Sequence, residues 1–358
     1  MSSKKKKSKD KKSKDKKKQN WGLSAKQLKK ARTKALRQVK SDEAAIRHAI
    51  TEAPSATGYT IGFPADAFAG VEQIDPRSTP GFTGDKEAGQ TALASRAGEL
   101  NDLQEKLWAS EHGSRSGKRV LLVVQGMDTS GKGGIMRHVV GSVDPQGVQI
   151  KAFKAPTSVE KRHHFLWRIK PHVPDPGMIG VFDRSHYEDV LIHRVHGWAD
   201  EATIEKRYAQ INEWEKELVA SGVRIVKVML HISAEEQWER LYTRLQRPDK
   251  HWKFNPGDLD EREQWPAYMD AYTAAIRATS TAHAPWHVIP ADRKWYSRLA
   301  VQNLLIDALK GIDPGWPEAD FDVAAAIERM DRERNASDAA AKQPSDATTA
   351  TTKESDDA

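Results

Sequence analysis

The chain has 358 residues, with 57 Lys and Arg against 50 Asp and Glu, a net charge of +7, 38% hydrophobic residues and no cysteine. These values suit one large α/β domain with appendages or two small domains, and they exclude a disulfide scaffold, a Cys-based zinc site and thiol chemistry. Apolar runs no longer than Val120 to Val124 fall far short of the roughly 20 residues a membrane helix needs, and the Lys-rich start lacks an apolar signal segment, so a soluble cytoplasmic protein with no membrane contact is expected.

Residues 1–18 hold eleven Lys against Asp10 and Asp15 and contribute +9, so the remaining chain sums to about −2 and the positive charge belongs to a tail. That tail has nothing to bury and is expected to be disordered; it could hold a polyanion by counterion release, but no function is built on it. Residues 19–89 read as an arm: a basic helical pattern from Gln27 to Ile50, then a Gly/Pro/Thr-rich stretch from Pro54 to Gly89 lying over a domain. Leu93, Leu100, Leu103 and Leu107 recur near helical spacing and predict an amphipathic helix leading into the first strand.

From there Val- and Ile-rich runs alternate with helical stretches. Strands are predicted at Arg119–Gln125, Val148–Phe153, Met178–Asp183, Arg224–Ile232 and Trp286–Pro290. Helices are predicted at Lys132–Ser142, Ser158–Ile169, Ser185–Val195, Glu201–Ala220, Ala234–Arg244, Glu263–Thr281 and Arg293–Leu309. Such alternation means right-handed βαβ units, an α/β doubly wound parallel sheet and a ligand site at the carboxyl ends of its strands. The domain spans 90–312 with a lid at about 244–262, followed by a C-terminal helix at 313–334 and a disordered tail at 335–358.

The first strand runs into Gly126-Met127-Asp128-Thr129-Ser130-Gly131-Lys132-Gly133-Gly134, which has the spacing and the strand-to-helix context of a P-loop. Gly126 and Gly131 let backbone N–H groups turn inward around phosphate oxygens, the helix N-terminus adds partial positive charge, and Lys132 reaches the terminal phosphates. Gly133 replaces the usual Ser or Thr that binds Mg²⁺, while Asp128 places a carboxylate inside an anion-binding loop. A bare carboxylate would repel phosphates, so Asp128 makes sense with a divalent cation between them.

The strand ending in Phe182 delivers Asp183 where a Walker-B aspartate belongs, followed by Arg184. Asp128 and Asp183 could share one or two Mg²⁺, with Arg184 beside the charge that develops in transfer. Ser185-His186-Tyr187-Glu188 has capping-box spacing, which gives Glu188 an ordinary structural reading as well. His193 and His196 face the same way but lack a third ligand.

Lys151, Lys154, Lys161, Arg162, Arg168 and Lys170 lie between the second strand and the Walker-B strand, more cations than a nucleoside triphosphate needs and suited to a long polyanion; a solvated helix face is the plain alternative. Arg240, Arg244, Arg247, Lys250 and Lys253, interrupted by Pro248 and Asn255-Pro256-Gly257, predict a mobile segment closing over the phosphates. Trp252 in that segment is a candidate to stack on a base or cover the site.

Gly126-Met127-Asp128-x-x-Gly131-Lys132-Gly133-Gly134, Pro145-Gln146-Gly147, Phe153-Lys154-Ala155-Pro156-Thr157, Phe165-Leu166-Trp167-Arg168, Phe182-Asp183-Arg184-Ser185-His186-Tyr187-Glu188-Asp189-Val190-Leu191 and Arg244-Leu245-x-x-Pro248-x-Lys250-x-Trp252-Lys253-Phe254 together resemble the polyphosphate kinase 2 family over roughly residues 90 to 310. The wording around Glu188 is similar to the class that phosphorylates both nucleoside mono- and diphosphates. The resemblance implies a P-loop NTPase/kinase-like fold with a helical lid that transfers phosphoryl groups reversibly from inorganic polyphosphate to AMP or ADP with Mg²⁺, or Mn²⁺ in its place. GMP and GDP are further candidate acceptors, nucleic acid is not expected as a partner, and family members are commonly homo-oligomers.

Carried over by position, Asp128 and Asp183 are the metal and catalytic carboxylates, Lys132 and Arg184 contact the transferred group, and Arg244 comes from the lid. Gly126, Ser130, Gly131, Gly133, Lys154, Arg168, Lys250 and Lys253 would bind phosphate or polyphosphate, and Glu188 the nucleotide. His164 and Arg247 depart from the family pattern and make the channel more basic. The competing readings are an ATP-dependent nucleoside monophosphate kinase and a non-catalytic polyanion binder. The basic stretch argues against the first, the intact Gly126/Lys132/Asp183 set against the second.

Overall fold

A computed structural model of the chain describes residues 56–62, 65–113 and 116–341. The Lys-rich tail, the basic helical pattern at 27–50 and most of the C-terminal tail lie outside the described residues. A six-stranded sheet carries the fold: β1 (Tyr59–Thr60), β2 (Arg119–Gln125), β3 (Val148–Ala152), β4 (Ile179–Asp183), β5 (Val223–His231) and β6 (Trp286–Pro290), ordered β1-β6-β5-β2-β4-β3. All neighbours are parallel except β1, which pairs antiparallel with β6 through Tyr59 and Val288.

β2 occupies the centre because all of its residues after Arg119 are apolar or buried, the pattern of a strand covered on both faces. Its alternation divides the core in two. Val120, Leu122 and Val124 pack with Leu299, Leu305 and Leu309 of α9 (Lys294–Ile312), whereas Leu121 and Val123 belong to the layer of Tyr208 and Ile211 on α5 (Glu201–Ala220) and Ile276 on α8 (Trp265–Thr279). From β2 the chain goes out to β3, returns to β4 beside β2, and then passes to β5 on the other side. The crevice this reversal leaves at the carboxyl ends of β2 and β4 is the natural ligand position of an open α/β sheet.

Four predicted elements come out differently. The helix expected around Leu93–Leu107 is two, α1 (Lys86–Ser95) and α2 (Ala97–Gly113), parted at Arg96, whose buried guanidinium bonds Asn303 on α9. Ser158–Ile169 is a chain of turns: Thr157 and Glu160 cap each other, His163 is extended, and the first half offers only the exposed Val159 to bury. The helix predicted at Ser185–Val195 is a 3-10 turn, His186–Val190, joined to the short α4 (Ile192–Val195). The C-terminal helix α10 runs Val323–Ala341, so residues 335–341, expected to be disordered, extend it.

Within the described part of the stretch expected as an arm, Val71 and Phe82 are buried in the core, and α1 begins at Lys86, capped by Asp85. The segment expected as a lid, about 244–262, comprises the last residues of α6 (Ala234–Gln246), a 3-10 turn at Pro248–Lys253 and α7 (Gly257–Glu263). No helix of the described residues is long and apolar enough to cross a membrane.

Candidate active site

The loop after β2 starts α3 (Lys132–His138) and forms the floor of the site. Gly126 has φ of +145°, and a Cβ there would lie 2.7 Å from both the Leu230 carbonyl and Ser130 Oγ, so only glycine fits. Thr129 takes a left-handed conformation, φ +66°, which turns the loop backbone inward. Thr129 Oγ1 and Ser130 Oγ are buried with no hydrogen-bond partner among the described residues, as groups awaiting a ligand would be. Lys132 Nζ donates to the carbonyls of Gly126 and Met127 at 2.7 and 3.2 Å. Burial pulls the Lys132 ammonium down, Asp128 opposes it, and the net shift is downward.

Asp128 accepts from Arg184 Nη2 at 2.7 Å. Burial pushes its carboxyl up, but Lys132 and Arg184 together outweigh burial and leave it below its usual value. Arg184 is left-handed too, φ +61°, immediately after β4. Burial opposes its charge, yet Glu188 and Asp128 hold the guanidinium above its ordinary range.

Two compartments meet at this ion pair. The larger, about 740 Å³, is lined by the loop from Asp128 to Gly134, by Lys154, Asp183 and Arg184, and by Arg244, Lys250, Lys253 and Asp258 of the lid. The smaller, about 220 Å³, is lined by Gly126, Glu188, Leu191, Glu261, Tyr268 and Tyr272, and shares Asp128, Arg184 and Asp258 with the first. Glu188 is not the partner in a capping box: Ser185 caps the Tyr187 N–H, while the Glu188 carboxylate accepts from Gln125 Nε2 at 3.1 Å. Burial raises its pKa despite Arg184 and Lys132.

Every predicted site residue except Arg168 therefore lines one or both compartments. Arg168 is 8% exposed, donates to the Lys154 carbonyl at 2.7 Å and lies over the Phe153 ring, so it supports Lys154 from behind. Of the cations between Lys151 and Lys170, Lys154 alone borders the larger compartment. His193 faces Asp189 and Arg207, and His196 pairs with Glu261; no group of three His, Asp or Glu among the described residues could hold a metal by itself.

Arg240 is the main correction to the lid reading. Its Nη1 donates to the carbonyls of Thr129 and Ser130 at 2.9 and 3.1 Å, its Nη2 to those of Ala291 and Asp292 at 2.7 and 3.1 Å, and its Nε to Glu236 at 2.6 Å. It clamps the phosphate loop to the end of β6 and is no free lid charge. Gln237 adds a bond to the Asp128 carbonyl at 3.1 Å. Sequence reasoning also missed Asp258, Tyr268 and Tyr272; the four-residue spacing of the two tyrosines on α8 was the available signal, and it reads equally well as core.

A family model for polyphosphate kinase 2 matches residues 83–315. The AMP/ADP-polyphosphate phosphotransferase of Meiothermus ruber is 43% identical over 249 residues, covering 69% of this chain and 91% of that protein. The ADP-polyphosphate phosphotransferase of Rhodopseudomonas palustris is 40% identical over 263 residues, covering 69% and 89%. The crystal structure of polyphosphate kinase 2 from Arthrobacter aurescens TC1 is similar with a TM-score of 0.71 and 55% identity, over 77% of this chain and 99% of that one. With a phosphate loop, a second carboxylate on the adjacent strand and Arg244, Lys250 and Lys253 lining the same compartment, this chain belongs to the polyphosphate kinase 2 family.

Proposed function

We propose that the enzyme transfers the terminal phosphoryl group of inorganic polyphosphate to AMP and to ADP, reversibly and with Mg²⁺. The observation that carries the reading is the shared Asp128–Arg184 wall: a larger, cation-lined compartment suited to a polyanionic donor meets a smaller one, lined by Glu188, Tyr268 and Tyr272, suited to an acceptor nucleotide. In-line transfer needs the acceptor oxygen and the leaving bridge oxygen of the polymer on opposite sides of the transferred phosphorus, and that phosphorus would sit at the ion pair.

The acceptor oxygen of a nucleotide phosphate is already anionic near neutral pH, so no general base is required. Catalysis rests on alignment and on neutralising charge. Lys132, now bonded to loop carbonyls, would turn to the donor phosphate, and Arg184 would hold the group in flight. Arg244, Lys250, Lys253 and Lys154 would retain the polymer, and Glu188 would orient the nucleotide.

The orphaned hydroxyls of Thr129 and Ser130 and the oxygen donors of Asp128 and Asp183 fit a hard cation that completes its shell with water and substrate phosphate oxygens. Asp128 and Asp183 would hold it, and when bound it supplies positive charge at the phosphate oxygens.

The test is product formation by the purified protein with Mg²⁺ and AMP, ADP, GMP or GDP, comparing long-chain polyphosphate with ATP as donor. ADP and ATP formed from polyphosphate are expected. Turnover from ATP alone would replace the reading with a conventional nucleotide kinase, and none from either donor would favour a binding protein.

A further inference from the structure

The 3-10 turn that carries Glu188, His186–Val190, is held from within the core by buried polar side chains that the transfer chemistry does not use. His186 and Tyr187 are fully buried, and Ser185 Oγ accepts from the Tyr187 N–H at 3.2 Å. Tyr187 Oη donates to Glu215 on α5 at 2.9 Å and accepts from Lys227 Nζ on β5 at 3.0 Å. Lys227 also donates to Glu215 at 2.6 Å and to the Thr279 carbonyl at the end of α8 at 2.8 Å, and His186 Nε2 stands 3.3 Å from Glu215 Oε1. The Tyr187 ring meets Trp286 of β6 edge to face, with centroids 4.7 Å apart. Four elements thus converge on two consecutive residues of one turn.

The residues on either side of those two belong to the site. Arg184 lines both compartments and Glu188 the smaller one. Arg184 is fixed in its own right, by the register of β4 against β2 and by Asp128. Glu188 meets Gln125 Nε2 at 3.1 Å, and where its carboxylate stands depends on the rotation of the turn. Burying Lys227 and Glu215 is a poor way to stabilise a layer, since an apolar pair of like volume would do as well or better. What an apolar pair lacks is direction. A carboxylate that meets three side chains and an ammonium that donates to three acceptors fix how the turn is rotated as well as how deeply it sits.

We propose that Lys227 and Glu215 are positioning residues that set the rotation of this turn and so aim Glu188 at the acceptor nucleotide. A buried pair that touches no reacting atom thereby governs acceptor binding and the choice between AMP and ADP. This rests on the reading of Glu188 as the group that orients the nucleotide, and the experiment separates the two.

Lys227→Met/Glu215→Leu is compared with wild type, with Glu188→Gln and with the triple variant, in denaturant unfolding and in AMP and ADP kinetics at saturating polyphosphate. The double variant keeps the layer packed and removes the directional bonds. It should recover most of the stability that Lys227→Met loses, yet show acceptor kcat/KM lowered by about tenfold, a changed AMP-to-ADP ratio and a polyphosphate KM within about twofold of wild type. In the triple variant the losses of the double variant and of Glu188→Gln should not add, because both act through one carboxylate. A purely structural role makes activity return with stability, so wild-type acceptor kinetics in a stable double variant would overturn the proposal, as would additive losses. Tyr187→Phe removes one hydroxyl and no charge; it should lower acceptor kcat/KM by about threefold at near-native stability. It carries the test if the double variant does not fold, and unchanged acceptor constants in it would then overturn the proposal. Wild-type kinetics in Glu188→Gln would instead remove the reading of Glu188, and a wild-type enzyme that forms no product from polyphosphate would remove the donor reading.

Discussion

Arg184 Nη2 lies 2.7 Å from Asp128 Oδ1, so the guanidinium that follows β4 closes on the carboxylate that follows β2, where the two strands run parallel with Val124 opposite Asp183. The pair is common wall to both compartments. Arg184 keeps a left-handed backbone, φ +61°, a conformation that costs of order 1 to 3 kcal/mol in a non-glycine residue. That cost persists because the β4 register and the Asp128 contact over-determine the position.

Removing charge at this seam should stop chemistry without unfolding the protein. Arg184→Ala is expected to lower kcat by about 100- to 1,000-fold, in line with loss of a preorganised group facing transition-state charge. Lys132→Ala and Asp183→Ala should abolish turnover while circular dichroism stays native. Normal activity in the Asp183 variant would remove that carboxylate from metal binding.

Arg240 gives a different signature, because it holds the loop and does not face the reaction. Arg240→Met leaves the carbonyls of Thr129, Ser130, Ala291 and Asp292 without their donor. A loss of about 2 to 4 kcal/mol in denaturant unfolding is expected, together with a raised donor KM. Arg240→Lys should recover little, since one ammonium cannot span both pairs of carbonyls. A variant of wild-type stability would show that the clamp is dispensable.

Glu188 predicts a pH effect on stability with a definite sign. Its folded pKa lies above the ordinary glutamate value of about 4.3, so the folded state holds the proton more tightly than the unfolded chain. The wild type therefore loses stability as pH rises from that ordinary value through the raised one, after which the penalty is constant. Glu188→Gln, which keeps an acceptor for Gln125, should be the more stable protein at pH 7 and indistinguishable below about pH 4. Its acceptor preference should change more than its rate. Thermal melts across this range and paired AMP and ADP kinetics check both statements.

A buried ion pair supports the turn that carries Glu188. Lys227 Nζ donates to Glu215 at 2.6 Å, to Tyr187 Oη at 3.0 Å and to the Thr279 carbonyl at 2.8 Å, while His186 meets Glu215 at 3.3 Å. Lys227 and Glu215 are 0% and 1% exposed. Lys227→Met, which strands the carboxylate, should cost about 3 to 5 kcal/mol, and adding Glu215→Leu should restore much of the loss. A double variant destabilised by the sum of the two single variants would show that the pair is not coupled.

Much of this site was legible along the chain because its parts are local. Gly126 to Gly134 is one strand-loop-helix unit, Asp183 and Arg184 end a single apolar strand, and hydrophobic period alone places β2 and β6 with their observed limits. The short strand β1 was not legible, since two residues carry no period and pair only because β6 offers a free edge. Ser158–Ile169 misled for a related reason: helical composition does not make a helix where one side has nothing to cover.

What the sequence by itself determined is the chemistry available: a phosphate loop with a carboxylate in it, a second carboxylate, and an excess of cations. Only the tertiary structure decided how those cations divide. Arg240 and Arg168 turn inward to backbone carbonyls, Arg247 and Lys250 share Asp249, and Arg184 closes on Asp128. A charge has the same symbol in a sequence wherever it points, whereas its free energy depends on which groups the fold brings within a few ångströms of it.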